Sequence, residues 1–159
     1  MIASSATAIL SHPARRAITT VFVFALVAPP VGAAIYLAVY AITRRAILGS
    51  WNVPTPREFA EYLPDIYLFG TAAALIAGLA VAWRQARGGA MPPAFILVTG
   101  LIVGLANAAT LMAMAPDFGP PEVPVAVLLA CHTVAFMLTT IICWRLGGRL
   151  AAAIGVRAS

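Results

Sequence analysis

Four long runs of apolar residues, separated by short segments that hold the charges, organise this sequence. A helix needs roughly 20 apolar residues to cross the hydrocarbon core of a bilayer, and each run approaches or exceeds that length. The pattern predicts an all-α, multi-pass membrane protein that forms one transmembrane domain over residues 1–159. The predicted spans cover residues 17–42, 66–83, 92–114 and 123–144.

The segment between the first two spans predicts a short helix of its own. Thr55 is typical of a helix N-cap, with Pro56 at the first helical position and Glu58 at the third. Apolar side chains then recur at helical spacing until Pro64, at Phe59, Tyr62 and Leu63. We expect a short interfacial helix over residues 55–63, with this face turned toward lipid or toward the bundle.

The distribution of the arginines predicts the orientation of the chain in the membrane. With the N-terminus inside, seven lie in cytoplasmic segments: Arg15, Arg16, Arg84, Arg87, Arg145, Arg149 and Arg157. Only three lie outside: Arg44, Arg45 and Arg57. This bias follows the positive-inside rule. We therefore expect an antiparallel four-helix bundle with both termini cytoplasmic, in a bacterial inner membrane.

Composition agrees with a membrane location. The chain is 62% hydrophobic and only 9% charged, whereas soluble domains have about a quarter charged residues. The net charge of +5 comes from arginines beside the apolar runs. We interpret it as membrane anchoring, so we expect the lipid bilayer as a partner and no nucleic acid.

Three spans carry small residues at every fourth position, which is typical of close helix packing in membranes. Two hypotheses stay open: the small faces pack within the chain, or one of them faces another subunit. The predicted packing or interface residues are Gly70, Ala74, Gly78, Gly100, Gly104 and Ala135.

Pro29 and Pro30 lie near the centre of the first span and predict a helix kink. Neither has an N–H group, so the carbonyls of Ala25 and Leu26 need other partners. The alternative hypothesis is a discontinuous helix that lines a path for a solute or ion, as in transporters.

The candidate polar residues inside the membrane are Asn107, His132 and Thr139. Counting helical rise places Asn107 within about 4 Å of the depth of His132, so we expect a hydrogen bond between them. Haem ligation is the competing hypothesis, but His12 lies outside the spans and a second histidine would have to come from a partner. We expect no cofactor, no metal and no catalytic residue.

Tyr36 and Tyr40 lie one turn apart toward the outer end of the first span, where they are typical of an aromatic belt. A ligand site at the outer mouth, between these tyrosines and the helix predicted at residues 55–63, is an alternative interpretation.

The first half of the chain contains FALVAPPVG at residues 24–32, YLFG at 67–70 and ALIAGL at 74–79. These stretches resemble a group of uncharacterised four-helix inner-membrane proteins of proteobacteria. The resemblance implies a fold and a membrane location but no activity.

The absence of reactive groups in the spans, together with the small-residue faces, favours a non-enzymatic protein. We expect an accessory or scaffolding subunit of a larger respiratory or photosynthetic membrane complex, or a homo-oligomer. The alternative is a small oligomeric transporter or channel for a solute or lipid that uses Pro29, Pro30, Asn107 and His132.

Overall fold

The computed structural model describes residues 12–49, 55–88, 91–114 and 124–157. They form four helices: α1 (His12–Leu48), α2 (Pro56–Ala86), α3 (Pro93–Met114) and α4 (Val125–Arg157). Each has a stretch long and apolar enough to cross a membrane. This confirms the prediction of an all-α, multi-pass membrane protein. The segment between the third and fourth helices, residues 115–123, lies outside the described residues.

Three helices are much longer than their predicted spans. α1 has 37 residues, α2 has 31 and α4 has 33, which correspond to about 55 Å, 46 Å and 50 Å of helix. The hydrocarbon core is only about 30 Å thick, so all three helices extend beyond it. α3, with 22 residues, matches the core closely.

The prediction of a separate helix over residues 55–63 is wrong. α2 continues through Pro64 from Pro56 to Ala86. Pro64 removes one hydrogen bond, to the carbonyl four residues earlier, and the turns on either side keep theirs. Before Pro64, the Arg57 Nε atom lies 3.1 Å from the Glu61 Oε1 atom in an exposed pair one turn apart, which supports the helix modestly. The side chains of Phe59, Tyr62 and Leu63 are not among those that the structure describes.

α1 also continues through its prolines, so the hypothesis of a discontinuous helix is wrong for this chain. The missing N–H of Pro30 would have bonded the carbonyl of Leu26. The hydroxyl of Tyr67 donates to that carbonyl instead, at 2.8 Å. A neighbouring helix thus supplies the hydrogen bond that the proline removes, as expected inside a membrane. The predicted kink itself stays a prediction.

Tyr67→Phe is expected to lower the free energy of unfolding by about 0.5–1.5 kcal/mol, because the Leu26 carbonyl loses its donor. Tyr40→Phe is the matched control. The Tyr40 hydroxyl is buried without a hydrogen-bond partner among the described residues, so its removal should be neutral or stabilising. Unfolding both variants in detergent with increasing SDS would measure this, and an equal loss in both would contradict it.

The helices form a bundle in which α1 packs extensively on α2 and on α4. α3 packs mainly on α4, and its contact with α2 is slight. Along the α1–α2 contact, Phe24 meets Gly78 and Pro29 meets Gly70. Residue numbers therefore rise along one helix as they fall along its neighbour.

The small-residue faces pack against other helices of the same chain. Cβ atoms added at Gly70 and Gly78 of α2 would meet α1, and those at Gly100 and Gly104 of α3 would meet α4. Ala74 and Ala135 are buried at 2% and 3% exposure. The structure therefore favours the hypothesis of packing within the chain over a face reserved for another subunit.

At the end of the bundle near the start of α1, three helices meet at a buried threonine. The Thr20 Oγ1 atom lies 2.8 Å from the Arg16 carbonyl and 2.9 Å from the Gln85 Oε1 atom. One hydroxyl proton cannot serve two acceptors, so we infer that the Gln85 amide turns its NH₂ group toward Thr20. A Cβ at Gly147 of α4 would lie 3.2 Å from the Thr20 Cα atom, so the backbones approach closely here.

The outside of the bundle is apolar. Large hydrophobic side chains that are 60% exposed or more include Phe22, Leu26, Leu68 and Ile102. In water such a surface would drive aggregation, whereas in lipid it meets a solvent as apolar as itself. The fold therefore indicates contact with a lipid bilayer.

Candidate functional site

A cavity of about 570 Å³ lies between the four helices. Every helix contributes residues to its wall, and most of that wall is apolar. Its size falls within the range of sites that bind small molecules, about 300–1,000 Å³. The cavity therefore has room for a ligand.

The cavity exists because small residues from three helices face the same space. α1 contributes Ala28, Gly32 and Ala33, α2 contributes Gly70 and Ala74, and α4 contributes Ala135. The same small residues that let the helices approach elsewhere leave a void where the faces diverge, since no large side chain fills it. Packing in membranes tolerates such a space only if lipid, ligand or water occupies it or the helices hold it open.

The cavity is closed on one side and reaches the surface on another. Phe24 and Thr140 border it toward the tightly packed half of the bundle, where Val81 and Cys143 have no exposed surface. Phe69 of α2 and Met114 of α3 line it at 41% and 67% exposure respectively. These two exposed lining residues belong to α2 and α3, which contact each other only slightly.

A single polar pair occupies the wall between α3 and α4. The Asn107 Nδ2 atom lies 2.9 Å from the His132 Nε2 atom, so the structure contains the predicted hydrogen bond. Both residues line the cavity and both are partly buried. The depth of each residue in the membrane, counted from helical rise, was therefore sufficient to predict that the two side chains interact.

Tyr36 of α1 lines the cavity beside this polar pair. Its ring contacts the His132 imidazole edge-on, with centroids 5.8 Å apart, and stacks on Tyr40 at 5.9 Å. Phe136 also stacks on the imidazole, with centroids 6.5 Å apart. His132 therefore contacts two aromatic rings beside the cavity.

Sequence reasoning assigned Tyr36 to the aromatic belt, with a ligand site at the outer mouth as the alternative interpretation. A signal was present, because Tyr36 follows Gly32 by one helical turn and so shares a face with the small residues of α1. Thr139, a predicted polar residue, also lines the cavity. Its hydroxyl donates to the Ala135 carbonyl at 2.7 Å, so its proton is already used within α4.

The described part of the chain contains no group of three or more His, Cys, Asp or Glu residues that could hold a metal ion. His12 begins α1, 24 residues before Tyr36, or about 36 Å of helix away from this contact of His132. Within one chain, therefore, His12 and His132 cannot ligate the same haem. Among the described residues that line the cavity, no side chain is charged.

Fold and site together define a four-helix multi-pass membrane protein with a largely apolar cavity inside the bundle. The chain matches no family model, no curated protein and no solved structure. The resemblance of its first half to proteobacterial inner-membrane proteins stays a prediction, and the function has to be argued from the site alone.

Proposed function

We propose that this protein is a non-enzymatic membrane protein that binds one small, largely apolar molecule inside its bundle. The observation that carries the proposal is the 570 Å³ cavity, whose wall is apolar except for a few polar side chains. Ligand sites commonly combine such an apolar wall with a small number of polar groups that orient the ligand.

The route into the cavity supports a ligand that arrives from lipid. We place the opening between α2 and α3, because the exposed lining residues Phe69 and Met114 belong to them. The outer surfaces of both helices carry large exposed apolar residues such as Leu68 and Ile102. An apolar molecule can move from the bilayer into the cavity there without crossing water. The packed side chains beyond Phe24 favour binding from one side over a continuous channel.

We propose an antiparallel bundle in a bacterial inner membrane, with both termini cytoplasmic. Support comes from the seven arginines of the inner segments against three in the outer ones. In this orientation the cavity lies in the outer half of the bundle, because the end of α3 and the beginning of α2 border it. Its ligand would come from the outer leaflet.

The hypothesis of an accessory or scaffolding subunit has less support. It assumed that the small-residue faces were more than one bundle needs, so that one face could bind another subunit. The small-residue faces of α2 and α3 instead pack on α1 and α4 of the same chain. A membrane-protein partner or a homo-oligomer stays a prediction.

A matched pair of variants tests the proposal. Ala33 lines the cavity and Ala34 is exposed on the next position of α1. Ala33→Phe should fill the cavity and displace the ligand, whereas Ala34→Phe should add one more side chain to the lipid-facing surface. The proteins would be extracted from membranes with their surrounding lipid in polymer discs, and bound molecules would be identified by native mass spectrometry.

We expect the wild type and Ala34→Phe to retain one apolar molecule per chain, and Ala33→Phe to retain less than a tenth of that amount. Circular dichroism and thermal unfolding would show that both variants fold. Equal retention in two folded variants would overturn the proposed site.

A further inference from the structure

Three arginines lie where α1 and α4 meet, at the end of the bundle near the start of α1. A Cβ atom added at Gly148 of α4 would lie 3.5 Å from the Arg16 Nη2 atom, so the guanidinium group of Arg16 reaches the backbone of α4. Arg145 and Arg149 are exposed on α4 within one turn of Gly148. Side chains three or four positions apart on a helix have Cβ atoms about 5–6 Å apart, a distance that an arginine side chain can span. The three guanidinium groups can therefore contact one ligand at the edge between the two helices.

The positive charges of this arginine cluster, Arg16, Arg145 and Arg149, have no counter-charge close to them. In the part of the chain that the structure describes, none of the three forms an ion pair. The acidic residues of the sequence lie within the first ten residues of α2 or between α3 and α4: Glu58, Glu61, Asp65, Asp117 and Glu122.

These acidic positions are far from the cluster along the helices. Asp65 precedes Gln85, which lies at the same end of the bundle as the cluster, by 20 residues, and the first residue of α4 precedes Arg145 by 20 as well. Twenty residues correspond to about 30 Å of helix. Neighbouring like charges destabilise a helix, so an anion from outside the chain would stabilise this end of the bundle.

The position of α3 indicates the depth of the cluster in the membrane. α3 matches the hydrocarbon core in length and begins at Pro93. A Cβ atom at Gly100 would lie 3.0 Å from the Met137 Cα atom and 3.2 Å from the Thr140 Oγ1 atom. Because α3 and α4 run in opposite directions, Pro93 lies at about the level of residues 144–147. The arginines of α4 therefore lie at the edge of the hydrocarbon core, where lipid head groups are found.

The same face of α4 offers an apolar surface next to the cluster. Leu138 and Ile142 precede Arg145 and Arg149 at spacings of four, three and four residues, so all four positions share one helical face. Leu138 and Ile142 are both 43% exposed, and they lie on the side of the arginines that faces the membrane interior. A lipid with its head group at the arginines can therefore place an acyl chain along these two side chains.

We propose that the edge between α1 and α4 binds an anionic phospholipid, with its phosphate at the arginine cluster and an acyl chain along Leu138 and Ile142. Arginine suits this role because its planar guanidinium group can donate two parallel hydrogen bonds to phosphate oxygens. A zwitterionic lipid also has a phosphate, but the cluster repels its ammonium group. None of the three arginines lines the cavity, so this inference does not depend on the proposed function.

Two lipids with the same acyl chains test the proposal: phosphatidylglycerol, which is anionic, and phosphatidylethanolamine, which is zwitterionic. Each would be titrated into the delipidated full chain in detergent, and native mass spectrometry would measure the affinity of the first lipid bound. We expect the wild type to bind phosphatidylglycerol about tenfold more tightly than phosphatidylethanolamine. Inorganic phosphate at the same concentration should not displace phosphatidylglycerol, because it has no acyl chain.

The double variant Arg145→Gln, Arg149→Gln removes two of the three charges. Each basic side chain near an anionic lipid strengthens binding about fivefold, so this variant should bind phosphatidylglycerol at least about tenfold more weakly and lose the preference for it.

The matched control is Arg84→Gln, Arg87→Gln, which removes the same charge from the same end of the bundle. These arginines belong to α2, where Arg84 donates to the Gly88 carbonyl at 3.1 Å and the Arg87 guanidinium lies 3.8 Å from the centroid of the Trp83 ring. Salt screens exposed charges that are farther apart than about 10 Å. The affinity of this control for phosphatidylglycerol should therefore change less than about twofold.

Circular dichroism would show that both double variants fold. Equal affinity of the two lipids for the wild type would overturn the proposed site. Equal losses in the two double variants would indicate diffuse attraction to the whole basic end of the bundle, which contradicts a site between α1 and α4. Displacement of the lipid by inorganic phosphate would also overturn the proposal, since the cluster would then bind phosphate without any contribution from an acyl chain.

Discussion

Gly78→Ala is expected to lower the free energy of unfolding by about 1–2 kcal/mol, while Gly70→Ala on the same face of α2 is expected to raise it by up to about 1 kcal/mol. A Cβ atom at Gly78 would lie 2.7 Å from the Phe24 Cβ atom and 3.0 Å from its Cγ atom. These atoms are close to the backbone and cannot rotate away, so α1 and α2 would have to separate.

The magnitude follows from two opposing effects. Over-packing a well-filled contact costs about 1–3 kcal/mol, and alanine favours the helix over glycine by up to about 1 kcal/mol. At Gly70 the added atom would lie 3.5 Å from the Pro29 Cβ atom, which is an ordinary contact. There only the helix preference remains, and it is favourable.

Both variants would be unfolded in detergent by adding SDS, and circular dichroism would monitor the loss of helix. The measurement gives the difference between their free energies of unfolding. The two sites differ only in the space available for one methyl group, since helix, face and substitution are the same. Equal destabilisation at both positions would show that α1 and α2 do not approach as described.

Removing either member of the Asn107–His132 pair is expected to destabilise the protein by about 1–3 kcal/mol, and removing both should cost no more than removing one. The singles Asn107→Leu and His132→Leu each leave a partly buried polar partner without its hydrogen bond, and that unpaired group is the main cost. The double variant has no unpaired partner. Because the double variant costs no more than one single variant, the coupling measured by this cycle should be at least about 1 kcal/mol, above the average of about 0.6 kcal/mol for hydrogen bonds between membrane helices.

Thr110→Val is the control for this cycle. Thr110 is exposed on α3, and its hydroxyl donates to the Ala106 carbonyl of the same helix at 2.9 Å. Its loss should change the free energy of unfolding by less than about 0.5 kcal/mol. Additive effects of the two single substitutions would indicate that Asn107 and His132 do not interact.

Much of the fold follows from periodicity and length, because each helix carries its own signal. The apolar runs placed four helices, and the fourfold spacing of small residues identified the buried faces of α2 and α3, including Gly78 and Gly104. Even the partner of His132 followed from helical rise, since two polar side chains inside a membrane are most stable at the same depth.

The structural features that could not be predicted from the sequence depend on several helices at once. Pro64 stays within α2, because neighbouring turns can sustain a helix that the local rule would end. The cavity could not be predicted, since it depends on how far four faces diverge and not on any single face. For the same reason, Tyr36 was placed in the aromatic belt, and a ligand site beside it was only the alternative interpretation.

The slight contact between α2 and α3 has a mechanical consequence. Thr20 and Gln85 join α1 to α2, and the close approach at Gly147 brings α4 to the same place, so three helices share a rigid base. α3 depends mainly on α4 through Gly100 and Gly104. The simplest way to widen the cavity is therefore a tilt of α3 alone, while the other three helices keep their contacts with one another.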